Sequence, residues 1–104
     1  MDNLYLIFCK PIWSHKGFTV EEKLILNFVW NFQQKSGECY ASNDYISTCF
    51  GMRVDRVKTL IAELESVGYI NTWEEDDRRY MTCNLSRLED DCDVNEDFFR
   101  DFSY

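Results

Sequence analysis

Two segments in the second half of the chain alternate apolar and polar residues, and a charged stretch joins them. YINTW, residues 69–73, precedes this stretch, and YMTCNLS, residues 80–86, follows it. An alternating pair with a short polar connection is typical of a β-hairpin. The connection, EEDDRR, holds four carboxylates followed by two arginines. We therefore predict strands over 69–74 and 80–85 with a charged tip between them.

A helical pattern begins well before the hairpin. Thr19 and Glu22 have the spacing of a capping box, in which each side chain accepts a hydrogen bond from the other residue's backbone. Gly37 suits the left-handed turn that ends many helices. The apolar residues of one helical face are Leu24, Ile25, Phe28, Val29 and Phe32. This pattern predicts a first long helix that ends at Ser36.

Two further helices follow, separated by a turn. Ser42 offers a side-chain oxygen as the cap of a second helix, and Gly51 closes it. The third helix covers about 54–66, and Gly68 stops it. The segment ECYA, 38–41, is predicted to form a brief strand. The order of elements is then helix, short strand, helix, helix, strand and strand.

This order predicts an α+β fold in which three helices pack against a small antiparallel sheet. LYLIFC, residues 4–9, is expected to add an extra N-terminal strand, followed by a turn-rich lead-in. We accordingly divide the chain into residues 1–18, a folded domain over 19–86 and a C-terminal extension over 87–104.

Charge is concentrated at one end of the sequence. The formal net charge is −8, and residues 74–104 carry eleven acidic and four basic side chains. A protein that gains its affinity by neutralising phosphates should carry the opposite sign on its contact face. The composition therefore argues against nucleic acid as the partner of this end of the chain.

The sequence offers no pattern for catalysis, cofactor binding or metal binding. It contains no Gly-rich phosphate loop, no nucleophile motif and no zinc-binding spacing. The five cysteines are widely spaced with no C-x-x-C pair, and His15 is the only histidine. We predict reduced thiols, no metal, no cofactor and no enzymatic activity.

No segment is long enough to cross a membrane. The longest apolar run, LYLIFC, falls far short of the ~20 residues that a transmembrane helix needs. No basic flank precedes this run, as a signal peptide would require. We therefore expect the protein in the cytoplasm.

The residues ECYASNDYISTCFGMRVDRVKTLIAELESVGYI, 38–70, resemble a winged helix-turn-helix domain, with the hairpin as its wing. The resemblance spans roughly 19–86 and is strongest to phage replication initiators, replisome organisers and DnaD-like primosome proteins. It implies a role in DNA replication, with the third helix reading DNA in the family's DNA-binding members. In a phage protein, it implies the cytoplasm of the bacterial host.

The third helix departs from a DNA-reading surface. Arg53, Arg56 and Lys58 are candidates for phosphate contacts at the positions that the resemblance implies. Asp55 would repel a phosphate, and Val54 would expose an apolar group. These three cations define the alternative interpretation, a DNA-binding initiator or transcriptional regulator.

The wing differs even more from that of a DNA-binding winged helix, because its tip is acidic. Glu74, Glu75, Asp76 and Asp77 oppose any polyanion, and Trp73 adds an aromatic group beside them. We interpret these five residues as a surface for a basic protein partner. A merely solvated acidic turn is the alternative interpretation.

The C-terminal extension combines carboxylates with aromatic residues. Phe98, Phe99 and Phe102 follow a strongly acidic run, and such segments can anchor in an apolar groove while their charges complement a basic rim. These aromatics are predicted partner-binding residues. The same residues are equally compatible with docking on the chain's own domain.

Three functional hypotheses follow. The first is a non-enzymatic protein that binds and inhibits the replication machinery, most specifically a phage inhibitor that blocks ATPase assembly of the host helicase loader, as the resemblance suggests. The second is the DNA-binding protein described above. The third is a DNA mimic or a purely structural module.

Overall fold

The structure is a computed structural model, and it describes residues 6–84, 86 and 87. The helices are α1 (Lys10–Trp13), α2 (Val20–Ser36), α3 (Asn43–Phe50) and α4 (Val54–Ser66). The strands are β1 (Ile70–Glu75) and β2 (Arg78–Cys83), which pair antiparallel. The predicted α+β class is confirmed, and the arrangement is that of a winged helix.

The capping box at the start of α2 is present. The Glu22 backbone N–H donates to the Thr19 hydroxyl at 3.2 Å, and the Thr19 N–H donates to the Glu22 carboxylate at 2.8 Å. At the other end, Gly37 has φ 87°, a conformation that costs glycine little. The predicted bounds of this helix are therefore confirmed.

The next two helices are joined by a turn of three residues, 51–53. The Ser42 hydroxyl accepts a hydrogen bond from the Tyr45 N–H at 3.1 Å and so caps α3. Gly51 ends this helix with φ 67°. A helix pair with so short a turn has the form of a helix-turn-helix motif.

The core lies between α2, α4 and the inner face of the hairpin. The fully or nearly fully buried side chains of these elements include Ile25, Leu26, Phe28, Val29, Val57, Leu60, Ile61, Leu64, Ile70 and Met81. From α3, Ile46 is completely buried, whereas Tyr45 is 38% exposed. Of the predicted apolar face of α2, Ile25, Phe28 and Val29 are buried, but Leu24 and Phe32 are only partly buried.

The expected N-terminal strand is wrong for the residues that the structure describes, because 6–9 pair with no strand. Two asparagines of α2 take the place of a partner strand. Asn27 Oδ1 accepts from the Cys9 N–H at 2.7 Å, and Asn31 Oδ1 accepts from the Ile7 N–H at 2.8 Å. Residues 4 and 5 lie outside the described part of the chain.

The lead-in contains an additional helix, so residues 6–84 contain four helices rather than the three predicted. Pro11 stands in the first turn of α1, where its missing N–H costs no hydrogen bond. Ile12 of this helix is completely buried. A single helical turn offers too few residues for the apolar period to be read from sequence.

The predicted strand over 38–41 is reduced to one bridge. Cys39 and Met81 exchange both backbone hydrogen bonds at 2.8 Å. Because the partners run antiparallel, this bridge places Tyr40 and Ala41 beside the half of β2 that is nearer the tip of the hairpin.

Four of the five cysteines lie in the described residues, where Cys39, Cys49 and Cys83 are free thiols. Burial raises the pKa of the Cys39 and Cys83 thiols. No helix in the described residues is both long and apolar enough to span a membrane.

Candidate functional site

The wing ends in a two-residue turn made by Asp76 and Asp77. Both residues have positive φ, 51° and 62°, as a tight hairpin of this twist requires. Aspartate tolerates this left-handed conformation better than most residues. Glu74 and Glu75 therefore belong to β1, opposite Arg79 and Arg78.

The two arginines of the wing point toward the body of the domain. Arg79 donates to the Asn43 side-chain oxygen at 2.6 Å and to the Ala41 carbonyl at 2.7 Å. Burial lowers the pKa of this guanidinium. The Arg78 guanidinium lies 5.3 Å from the centre of the Tyr40 ring.

The carboxylates are consequently left without cationic partners. Within residues 6–84, none of the side chains of Glu74, Glu75, Asp76 and Asp77 forms an ion pair, and all four residues are exposed. The tip of the wing is therefore a concentrated negative surface.

Trp73 extends this surface with an aromatic group. Its ring stacks on that of Tyr80, with centroids 5.8 Å apart and planes 17° from parallel. These two residues are cross-strand partners, and Trp73 is 38% exposed. The structure thus brings the predicted residues Trp73 to Asp77 together on one wing.

The cations of the third predicted helix, α4, lie on a different surface. Arg53 and Lys58 are exposed, but Arg56 forms an ion pair with Glu21 of α2 at 2.9 Å. The hydrogen bond and charge of Glu21 raise the pKa of Arg56. Val54 is 40% exposed, as expected from the sequence.

Carboxylates therefore interrupt the surface at the start of α4, which corresponds to the one that reads DNA in DNA-binding helix-turn-helix proteins. An open groove of about 560 Å³ beside the start of α4 contains Glu21 and Asp55 together with Arg53 and Arg56. Acidic and basic groups balance there, so the groove has no net formal charge. A phosphate backbone would find few uncompensated cations on this surface.

A second surface, which the sequence did not reveal, lies beside the wing. We call it the wing groove, an open pocket of about 370 Å³ lined by Phe32, Tyr40, Ala41, Ser42, Tyr45 and Arg78. It exists because the Cys39–Met81 bridge holds Tyr40 next to β2. A single bridge leaves no periodic signal in the sequence.

The remaining predicted partner-binding residues, Phe98, Phe99 and Phe102, lie outside the described residues.

Comparison with known proteins supports the helix-turn-helix geometry. A protein-family model described as a helix-turn-helix domain matches residues 16–70, just over half of the chain. The match includes α2, α3, α4 and the connecting turn. No curated protein and no solved structure matches the chain. The chain belongs to the helix-turn-helix domain family.

Proposed function

We propose that this winged-helix protein binds a basic surface on a protein of the DNA replication machinery and inhibits or modulates that protein. One observation carries the proposal: the wing presents four carboxylates without cationic partners in the described residues, while its two arginines turn back to Ala41, Asn43 and Tyr40. Such a wing repels a phosphate backbone and attracts lysine and arginine side chains.

The most specific form of the proposal is a phage inhibitor of the bacterial helicase loader. This ATPase must assemble into an oligomer, and an acidic wing that pairs with basic residues at the assembly surface would block it sterically. Support for this target comes from the resemblance of the sequence to phage replication proteins. The aromatic residues Phe98, Phe99 and Phe102 would add apolar anchors.

This mechanism needs neither catalysis nor a cofactor. The protein would act by occupying a surface, in the cytoplasm of a bacterial host. Trp73 would supply the aromatic contact expected at the centre of such an interface, because it is 38% exposed, stacked on Tyr80 and adjacent to the charges.

A variant with a reversed wing charge tests the proposal. Lysine suits positions 74 and 75 in β1, but Asp76 and Asp77 need residues that tolerate positive φ, so the variant is Glu74→Lys, Glu75→Lys, Asp76→Asn and Asp77→Asn. We expect at least roughly tenfold weaker binding to the purified ATPase domain of a bacterial helicase loader, measured by titration calorimetry.

The matched control is Arg53→Ala with Lys58→Ala, which alters the α4 surface and should leave this affinity unchanged. If the wild-type protein does not bind the ATPase domain, the specific target is wrong. If the reversed wing binds as tightly as the wild type, the acidic wing is not the contact surface.

DNA binding is the second candidate, favoured by the family and by the exposure of Arg53 and Lys58 on α4. It predicts duplex affinity that falls steeply with added salt. It also predicts loss of that affinity in Arg53→Ala with Arg56→Ala. Fluorescence anisotropy with labelled duplex at two salt concentrations distinguishes the two candidates.

A further inference from the structure

The wing groove combines aromatic walls with one positive charge. Tyr40 and Tyr45 are 46% and 38% exposed, unusual for large aromatic side chains, and the ring of the partly buried Phe32 lies 6.4 Å from that of Tyr40. Arg78 is the only ionisable lining residue that is charged at neutral pH. A cavity of ~150 Å³ holds a benzene ring, so this open pocket of about 370 Å³ has room for an aromatic side chain.

The chain carries a segment of complementary chemistry. Residues 88–104 contain seven carboxylates, one arginine and four aromatic side chains. Three phenylalanines, Phe98, Phe99 and Phe102, stand among these acids. An aromatic ring in the groove would leave neighbouring carboxylates beside Arg78.

The chain between Arg87 and Phe98 is long enough to bring Phe98 to the wing groove. The Asn84 backbone N–H donates to the Tyr69 carbonyl at 2.9 Å, and the Arg87 guanidinium lies 4.9 Å from the centre of the Tyr69 ring, so Asn84 and Arg87 lie at the base of the wing. From Cys83 to Arg78 along β2 is about 17 Å at ~3.4 Å per residue. Phe98 follows Arg87 by eleven residues, which extend to about 36 Å.

We propose that, in the free protein, residues 88–104 dock in the wing groove of the same chain, with a phenylalanine ring between Tyr40 and Tyr45 and a carboxylate on Arg78. The acidic turn of Asp76 and Asp77 repels the segment's other carboxylates and so favours the end of the groove nearer Tyr45. A partner that takes up Phe98, Phe99 and Phe102 would then have to displace them from this groove. The docking itself does not depend on the proposed function.

Chymotrypsin cleavage of the full chain tests this docking, because the enzyme cuts after phenylalanine in accessible segments. We expect Arg78→Glu to speed cleavage after Phe98 and Phe99 by roughly threefold to tenfold, the effect of losing one charge-assisted contact. Arg53→Glu makes the same charge reversal away from the groove and should leave the rate unchanged. Cleavage after Tyr80, which lies within β2, requires unfolding of the domain, so its rate in the same digest shows whether a variant has unfolded.

Equal cleavage rates for the wild type and Arg78→Glu would overturn the proposal. Protection that increases with protein concentration would also overturn it, because the segment would then occupy a second copy. Amide chemical shifts provide an independent measurement. Replacing Phe98, Phe99 and Phe102 with alanine should shift the amide signals of Tyr40, Tyr45 and Arg78, and shifts confined to the replaced segment would contradict docking.

Discussion

At the residue scale, Arg79 joins the wing to the helix-turn-helix. Its guanidinium bridges the Ala41 carbonyl and the Asn43 side chain, so it positions the wing instead of presenting a charge to a partner. Removing it leaves a partly buried carbonyl without this donor, and Arg79→Ala should lower the free energy of unfolding by about 1–3 kcal/mol.

Urea unfolding of Arg79→Ala and Arg78→Ala checks this assignment. Arg78 is exposed, so its replacement should change the free energy of unfolding by less than about 0.5 kcal/mol. Equal destabilisation by the two substitutions would show that Arg79 has no special role in holding the wing.

At the element scale, α2 anchors the N-terminal segment through a polar cluster within an otherwise apolar face. Asn27 is completely buried, accepts from the Cys9 N–H and donates to the Ile7 carbonyl at 3.1 Å. Asn27→Ala removes the side-chain acceptor of the Cys9 N–H, whereas the Ile7 carbonyl keeps the Asn31 side-chain donor at 2.8 Å. The substitution should therefore destabilise the fold by about 1–3 kcal/mol.

Gln34→Ala is the matched control, because Gln34 is exposed on the same helix. We expect it to change the free energy of unfolding by no more than about 0.5 kcal/mol in urea. Similar values for the two variants would contradict the anchoring role of Asn27.

The same elements show what the sequence could and could not predict. Local signals, such as the Thr19 capping box, Gly51 and the alternation around the turn, correctly placed α2 and α3 and predicted a hairpin, because they depend on neighbouring residues. The second strand, predicted over 80–85, is observed over Arg78–Cys83, because Arg78 and Arg79 pair with β1 instead of belonging to the turn. The apolar run at 4–9 suggested a strand, but the distant side chains of Asn27 and Asn31 satisfy its backbone instead.

In the candidate site, too, some features were predictable from the sequence and others depend on residues that are distant in the chain. The acidic character of residues 74–77 was evident from the sequence, and its exposure follows from the turn. The directions of Arg78 and Arg79 were not predictable, because they depend on Tyr40, Ala41 and Asn43, some 36–38 positions earlier in the chain. Although Glu74 and Glu75 lie opposite Arg79 and Arg78 in the hairpin, the two guanidinium groups turn to Asn43, Ala41 and Tyr40.

At the scale of the whole molecule, the two candidate surfaces differ in charge. The wing tip is acidic, whereas the surface at the start of α4 combines the exposed cations Arg53 and Lys58 with the carboxylates of Glu21 and Asp55. Electrostatic attraction therefore favours different partners for the two surfaces. Because we assign function to the acidic wing, we predict a protein partner whose capture does not require nucleic acid.

A pull-down of the tagged protein from bacterial lysate, with and without nuclease and read by mass spectrometry, tests this claim most directly. The reversed-wing variant serves as its control. We predict one stoichiometric protein that survives nuclease and is lost with the variant, and a replication ATPase in that position would support the inhibitor mechanism. Recovery of nucleic acid, with protein bands that vanish after nuclease, would contradict the account and return function to Arg53 and Lys58.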